Sequence, residues 1–151
     1  MEHFPSVLTR GESDALVDRI EQHWALEGWG LWAVEVLDGP EFVGFVGLNR
    51  VRFEVPFTGA AEIGWRLARM AWGRGYASEG ARAVMGLAFG AAGLDEVVSM
   101  TTTTNLRSQA VMIRLGMHRD PADDFEHPRV PPGPLRRHVL YRLGAGEWTG
   151  G

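Results

Sequence analysis

The amino-acid sequence predicts an α+β domain built on a mixed sheet, for three reasons. In residues 31–67, short apolar runs alternate with turn signals such as Asp38-Gly39-Pro40, a pattern typical of antiparallel hairpins. A glycine-rich segment, residues 72–79, then joins a strand pattern to a helix pattern. The β-rich run after that helix is expected to lie parallel to the strand before it, because a crossover helix connects the two. The predicted architecture is therefore a mostly antiparallel sheet with one parallel pair and flanking helices.

No internal repeat or interdomain linker is visible, so residues 1–151 are treated as one domain. Ser13 or Asp14 is expected to cap a first helix that buries one apolar face, formed by Leu16, Val17, Ile20 and Trp24. The remaining predicted elements are strands at 31–37, 42–48, 61–67, 96–102 and 137–143, and helices at 77–91 and 106–115 that end at Gly93 and Gly116.

Two later stretches are expected to be irregular. Residues 121–134 hold five of the eight prolines and predict a rigid loop. The glycine-rich residues 144–151 predict a loose tail.

The composition excludes several kinds of chemistry. The chain has no cysteine, so it offers neither a disulfide framework nor a thiolate nucleophile. All of its basic residues are arginine, which rules out Schiff-base catalysis and a phosphate-loop lysine. The net charge of −4 does not indicate nucleic-acid binding, and a mildly acidic surface would suit a cationic or amine substrate.

No apolar run reaches the roughly 18 residues of a membrane span, and no signal peptide is visible. A cytoplasmic protein without membrane association is the expectation, and a homodimer stays open.

The segment Trp72-Gly73-Arg74-Gly75 is the sharpest local signal. Glycines allow a close backbone approach to a ligand, and the unpaired amides of the helix that follows can bind a phosphate or pyrophosphate. A tight turn that binds nothing explains the glycines equally well. A dinucleotide-binding loop fits poorly, since the third glycine and the acidic residue at the end of the next strand are missing.

Four motifs stand in a fixed order: E-I-G-W-x-L from Glu62, W-G-R-G-Y-A-S-E from Trp72, T-x-x-x-N-x-R-S from Thr101, and R-L-G-M from Arg114. In combination they resemble the GNAT superfamily of acetyl-CoA-dependent N-acetyltransferases, and most of all its ribosomal-protein N-acetyltransferase branch. The resemblance spans about residues 29–143. It implies a splayed parallel strand pair with the pantetheine arm in the gap, and it implies that the strand and helix with which relatives begin are missing here.

The resemblance also places acetyl-CoA and the site residues. The pyrophosphate is expected on the backbone of the glycine segment, with Arg74 as a charged supplement. Leu67 is expected to offer backbone groups to the pantetheine arm, and Asn105 and Ser108 to lie near its amide and the sulfur. The full set of implied cofactor contacts is Leu67, Trp72, Gly73, Arg74, Gly75, Tyr76, Ala77, Asn105 and Ser108.

The chain departs from the family pattern at Trp72 and at Met112. Trp72 stands where most relatives begin the loop with Gln or Arg, a replacement that is usual in the ribosomal-protein branch. Met112 stands where many relatives carry a tyrosine as general acid toward the leaving thiolate. Ser108 is the nearest substitute, although its hydroxyl also suits the simpler role of satisfying a first-turn amide. Asn105 is the expected helix cap.

Glu62 is the candidate general base. A lysine-like amine with a pKa near 10.4 costs roughly 4–5 kcal/mol to deprotonate at pH 7, whereas an α-amine costs only about 1–1.5 kcal/mol. A carboxylate serves as base through a water, or directly if its surroundings raise its pKa. The alternative is an ordinary solvated strand residue, or one paired with Arg66 or Arg50.

Several other side chains are weaker candidates. A metal site at His118, His127 and His138 is not expected, because they are widely separated and no ligand-spaced carboxylate accompanies them. The tryptophans are predicted to be core residues. Trp29 is the exception to consider, because it is expected in a loop from which it could line the acceptor side of the site. The segment Arg136-Arg137-His138 suits an acidic patch on a protein substrate, or is merely an exposed strand end.

These observations predict an enzyme that transfers acetyl from acetyl-CoA to a primary amine by direct attack in a ternary complex. The alternative is a catalytically decayed acetyl-CoA-binding module or sensor. The acceptor stays open among protein N-termini, polyamines, antibiotics and small amino compounds, and its side of the site is expected from the variable loops around 24–30, 54–60 and 121–134.

Overall fold

The computed structural model of the chain describes residues 9–150, which form three α-helices, seven strands and three short 3-10 turns. The helices are α1 (Arg10–Glu27), α2 (Tyr76–Phe89) and α3 (Leu106–Arg114). The strands are β1 (Leu31–Val34), β2 (Gly44–Arg50), β3 (Ala61–Leu67), β4 (Glu96–Thr102), β5 (His118–Arg119), β6 (Phe125–Glu126) and β7 (Arg137–Gly144).

All seven strands belong to one sheet in the order β1-β2-β3-β4-β7-β5, and β6 also pairs with β7. Every pairing is antiparallel except β3 with β4, which α2 connects as a crossover helix. The predicted mixed α/β architecture with one parallel pair is therefore confirmed.

The parallel pair is short. Its register holds only at Ala61 with Val97 and at Glu62 with Val98, after which the ladder between the two backbones ends. At the next residue of each strand, the Ser99 hydroxyl donates a 2.8 Å hydrogen bond to the carbonyl oxygen of Ile63. A buried side chain thus satisfies a carbonyl that the ended ladder leaves open.

The core lies mainly on one face of the sheet, where α2 and α3 cover the strands. Fully buried side chains there include Leu48, Ile63, Met85 and Met112. On the opposite face a smaller apolar cluster is formed by Val51, Phe57, Val98, Phe125 and Leu140. Since residues alternate between faces along a strand, Glu62 lies on the side of this smaller cluster and Ile63 on the side of the helices.

The first helix differs from its prediction at its start and in its packing. Thr9 caps it, not Ser13 or Asp14: the Thr9 hydroxyl accepts from the Glu12 amide, and the Glu12 carboxylate accepts from the Thr9 amide. His23 is the one buried residue on the helix, while Val17 remains 43% exposed. The expected apolar face is therefore only partly covered.

Several other boundaries also move. β1 stops at Val34, because a turn closed by the Val36 amide on the Pro40 carbonyl (3.1 Å) occupies the rest of the predicted strand. α2 ends at Phe89 with Gly90 as its cap, and Gly93 follows in a left-handed turn.

The stretches predicted to be irregular also carry structure. Residues 121–134 include a 3-10 turn and β6. The predicted loose tail does not fit residues 145–148, since Trp148 packs against Phe89 at a 6.3 Å centroid distance.

Candidate active site

A large cleft opens where β3 and β4 part, with a volume of about 1220 Å³. It passes through the sheet. The residues on one side come from α2, α3 and the loop before α2, and those on the other from β2, the outer face of β3 and the segment 127–138. A Cβ built on Gly64 would meet no heavy atom within 4 Å, so this glycine of β3 faces open space. The strand therefore leaves room in the cleft where a side chain would fill it.

The loop before α2 uses both of its glycines in left-handed conformations, Gly73 at φ +74° and Gly75 at φ +80°. Gly75 is also the helix cap, and it provides no side-chain hydrogen bond. By contrast, Thr9 caps α1 and Asn105 caps α3 through their side chains. The first-turn amides of α2 are thus left without a capping side chain, with the positive end of the helix dipole behind them.

Trp72 ties this loop to the end of β3 and to α3. Its indole N–H donates a 2.9 Å hydrogen bond to the Leu67 carbonyl oxygen. The guanidinium carbons of Arg69 and Arg107 lie 5.3 and 4.8 Å from the centre of the Trp72 ring. The Leu67 carbonyl, expected to face the pantetheine arm, therefore has one of its two acceptor positions already occupied.

At the start of α3, Asn105 and Ser108 form a small hydrogen-bonded group with Trp65. The Asn105 side-chain oxygen accepts from the Ser108 amide at 3.2 Å, which confirms Asn105 as the cap. The Trp65 indole N–H donates to the Ser108 hydroxyl oxygen at 3.2 Å. Because the indole can only donate, the hydroxyl hydrogen of Ser108 is left to point elsewhere.

Glu62 lies deep in the cleft, opposite Asn49 on β2 and Val98 on β4. Glu62 is only partly exposed to solvent, and the protein around it desolvates the carboxyl group. This desolvation raises the pKa of Glu62 to about 7. Within residues 9–150 no hydrogen bond or ion pair to its carboxylate is found.

The alternative that Glu62 pairs with Arg50 is wrong. The Arg50 guanidinium is engaged by the Glu27 carboxylate at 2.7 and 3.1 Å and by the Gly59 carbonyl at 3.0 Å. Glu62 is also not a fully solvated strand residue, since it is only partly exposed.

Of the three loops expected on the acceptor side, the described structure brings only 121–134 to the cleft, through His127, Arg129 and Val130. Trp29 is 6% exposed and packs in the core beside His23, so the idea that it lines the acceptor side is wrong. Residues 54–60 pack on the smaller apolar cluster instead.

His127 and His138 meet in the cleft with ring centres 4.9 Å apart. Burial, together with the charges of His138, Arg129 and Arg136, lowers the pKa of His127 to about 4. Burial likewise lowers the pKa of His138. The His127 ring is therefore neutral at pH 7.

Nearly all the residues expected at the site line the cleft; Arg74 is the exception, being exposed outside it. The sequence reasoning missed Arg82, Arg107 and Arg114. Arg107 is the arginine of the motif T-x-x-x-N-x-R-S, so its position in the sequence already indicated a place at the site. Arg114 reaches the cleft because α3 lies against α2, where its guanidinium donates to the Ser78 hydroxyl at 3.4 Å.

Over residues 9–150 no cluster of three or more His, Asp or Glu side chains has the arrangement of a metal site. In the same range, none of the helices combines the length and apolar character that crossing a membrane requires.

Comparison with known proteins identifies the family to which this fold belongs. The family model described as acetyltransferase (GNAT) domain matches residues 1–118. The chain belongs to the GNAT acetyltransferase domain family. This GNAT domain is 37% identical over 128 residues to FsC-acetyl coenzyme A-N(2)-transacetylase of Aspergillus fumigatus, an alignment that covers 82% of the chain and 54% of that protein. The chain thus spans about half the length of the curated relatives it matches.

Solved structures share the same GNAT fold. An acetyltransferase from Agrobacterium tumefaciens superimposes with a TM-score of 0.69 at 27% identity, over 93% of this chain and 74% of that one. Mycobacterium smegmatis RimJ in complex with CoA-disulfide gives a TM-score of 0.70 at 23% identity, over 91% and 63%.

Proposed function

We propose that this GNAT domain transfers the acetyl group of acetyl-CoA to a primary amine by direct attack within a ternary complex. The observation that carries the proposal is one cleft with two chemically different halves. One half presents uncapped helix amides and arginines, and the other encloses a carboxyl group whose pKa is raised to about 7. The splay between β3 and β4 joins them.

The helical half fits the cosubstrate. The α2 amides and the left-handed glycines form an anion-binding site of the kind that accepts a diphosphate. The Thr102 hydroxyl oxygen, at the end of β4, is buried without a hydrogen-bond partner, so the cleft wall holds an unsatisfied polar atom. RimJ, which shares the fold, was solved with CoA-disulfide. When bound, acetyl-CoA supplies the thioester whose acetyl group is transferred.

Glu62 supplies the base. A carboxylate with a pKa near 7 accepts a proton more readily than one with a pKa near 4.3, and it is still about half ionised at neutral pH. As the amine nitrogen bonds to the thioester carbon, Glu62 takes the proton that the nitrogen gives up, directly or through one water.

Ser108 serves the leaving group. The carbon–sulfur bond breaks as the new carbon–nitrogen bond is completed, and the departing sulfur needs a hydrogen-bond donor. Trp65 occupies an acceptor position of the Ser108 oxygen, which leaves the hydroxyl hydrogen for this purpose. Met112, at the position of the tyrosine in many relatives, is only 1% exposed and lies under the cleft as a core residue.

The test is a thiol-release assay on purified protein with acetyl-CoA and a panel of primary amines, run beside calorimetry of acetyl-CoA binding. We expect turnover on at least one amine. Glu62→Gln should lower kcat by about 100-fold or more, the usual scale for a general base, with cofactor affinity unchanged. Glu35→Gln, an exposed carboxylate outside the cleft, is the matched control.

A kcat that Glu62→Gln leaves unchanged from pH 6 to 9 would remove Glu62 from the mechanism. Tight binding of acetyl-CoA without turnover on any amine would instead support the alternative of a decayed binding module.

A further inference from the structure

The cleft carries positive charge although the chain as a whole is acidic, with a net charge of −4. Among the described residues that line it, Glu62 is the single carboxylate, against arginines 66, 82, 107, 114 and 129. Three of these arginines belong to α2 and α3, on the half assigned to the phosphates of the cosubstrate. Arg129 belongs to the segment 127–138, which lines the half of the cleft assigned to the acceptor.

Both the backbone and the guanidinium of Arg129 contact neighbouring aromatic side chains. Its backbone amide donates a 3.1 Å hydrogen bond to His127 Nδ1, and its guanidinium lies 5.5 Å from the centre of the Phe53 ring. Phe53 in turn packs on His127 at a centroid distance of 4.4 Å. The contact between Phe53 and His127 joins the loop after β2 to the loop after β6. The Arg129 guanidinium therefore lies against packed aromatic rings, although Arg129 itself is exposed.

The charge of Arg129 is not neutralised within residues 9–150, where no carboxylate pairs with it. Its neighbours behave differently. Arg136 and Arg137 lie 3.8 and 3.9 Å from the Glu126 carboxylate. The acceptor half therefore has an arginine without a paired carboxylate beside His127 and His138, and a second positive group on an acceptor would be repelled there.

We propose that the amine acceptor carries an anionic group, such as a carboxylate, and that Arg129 binds this group while the amine lies at Glu62. The inference rests on the proposed acetyl transfer and narrows its acceptor. The proposal disfavours a polyamine as acceptor, since it would place its further cationic groups beside a guanidinium. Arginine suits the role because its planar fork matches a carboxylate with two parallel hydrogen bonds.

Two sets of acceptors that differ only in charge test the proposal. One set is γ-aminobutyrate, its primary amide and putrescine. The other is the dipeptide amides Ala-Asp, Ala-Asn and Ala-Lys. For the acidic member we expect kcat/KM to exceed that of the neutral member by about tenfold to a hundredfold, the scale of one charge-assisted hydrogen-bond pair.

Arg129→Gln should bring the acidic member to within about threefold of the neutral one, since the charged pair is lost. Arg137→Gln, which removes a guanidinium that faces Glu126 outside the cleft, is the control and should keep the full preference. A preference for the neutral or cationic member in both sets overturns the proposal, and so does an equal loss on all members in Arg129→Gln.

A binding measurement separates this inference from the proposed function. Protein saturated with CoA is titrated by calorimetry with the acidic and the neutral members. Tighter binding of the acidic member that Arg129→Gln abolishes supports the anion site even if no amine is acetylated. Equal binding of the two members, or no heat with either, overturns it even if acetyl transfer is observed with other amines.

Discussion

The indole N–H of Trp65 on β3 donates a 3.2 Å hydrogen bond to the Ser108 hydroxyl on α3, across the gap where β3 and β4 part. The two residues are 43 positions apart in the chain. Both line the cleft, and the Asn105 side chain holds the Ser108 amide from the other side. In the proposed mechanism Trp65 is therefore a positioning residue, since its hydrogen bond leaves the Ser108 hydroxyl hydrogen to donate to the departing sulfur.

Trp65→Phe should lower kcat by roughly fivefold, because the loss of one hydrogen bond costs about 1 kcal/mol. The Kd for acetyl-CoA should stay within a factor of about two, since the ring volume and its packing are largely retained. Steady-state kinetics and calorimetry on the same preparation give the two values.

Ser108→Ala and the double variant complete this prediction. If Trp65 acts through Ser108, the double variant should be no slower than Ser108→Ala alone, because the effects of coupled residues do not add. Additive losses in kcat would show that Trp65 has a role of its own.

Gly64→Val should block the cleft without unfolding the protein. A Cβ at Gly64 meets nothing within 4 Å, and β-branched residues are well accommodated in strands. We expect acetyl-CoA binding and acetyl transfer to fall below detection while the melting temperature stays within a few degrees, as judged by calorimetry and circular dichroism. Gly86→Ala on α2, also facing open space but outside the cleft, should bind and turn over normally.

Glu62→Gln should make the protein more stable at pH 8. The folded-state pKa of Glu62 is raised from 4.5 to about 7, so the folded protein holds a proton in this range that the unfolded chain has already lost. The stability from this proton is fully present below pH 4.5 and is lost as the pH rises to 7, an effect of up to about 3 kcal/mol. Denaturant titrations of the wild type and the variant at several pH values measure it.

In this series the difference in unfolding free energy between Glu62→Gln and the wild type should grow from pH 4.5 to 7 and then level off. A constant difference across that range would mean that the Glu62 carboxyl group is not desolvated in the folded protein.

His127→Asn should reduce the loss of stability in acid. Burial and neighbouring charges lower the pKa of His127 from 6.5 to about 4, so the unfolded chain binds a proton that the folded protein refuses between these values. Stability is therefore lost as the pH falls from 6.5 toward 4. Asparagine keeps an acceptor for the Arg129 amide and does not titrate.

Because Glu62 acts in the opposite direction over much of this range, the His127 contribution is read from the difference between the variant and the wild type. A stability difference that does not change between pH 6.5 and 4 would contradict the lowered pKa of His127.

The sequence was sufficient for features that are local. The glycine loop, the strand on either side of the crossover helix and the Asn105 cap all follow from residues within a few positions of one another. The Thr9 cap was also predictable, since Thr9 and Glu12 have the spacing of a capping box. The prediction instead placed the cap at Ser13 or Asp14, which lie further along the chain.

The contacts between distant segments that line the cleft could not be predicted in this way. Arg129 over Phe53 and His127 against His138 join segments whose approach depends on how the sheet and loops pack. The raised pKa of Glu62 likewise depends on enclosure by several elements, which no spacing pattern reports. The sign of the charge among the residues that line the cleft is opposite to that of the whole chain, so net charge does not report the charge at the site.

In the proposed function, the backbone amides at the start of α2 hold the diphosphate of acetyl-CoA. Calorimetric titration of the folded protein with acetyl-CoA and with acetyl-pantetheine, which lacks the diphosphate, tests it most directly. We predict one-site binding of acetyl-CoA with a Kd below about 1 mM, and binding of acetyl-pantetheine at least about tenfold weaker. Equal affinity for the two ligands, or no binding of acetyl-CoA at millimolar concentration, would contradict the account.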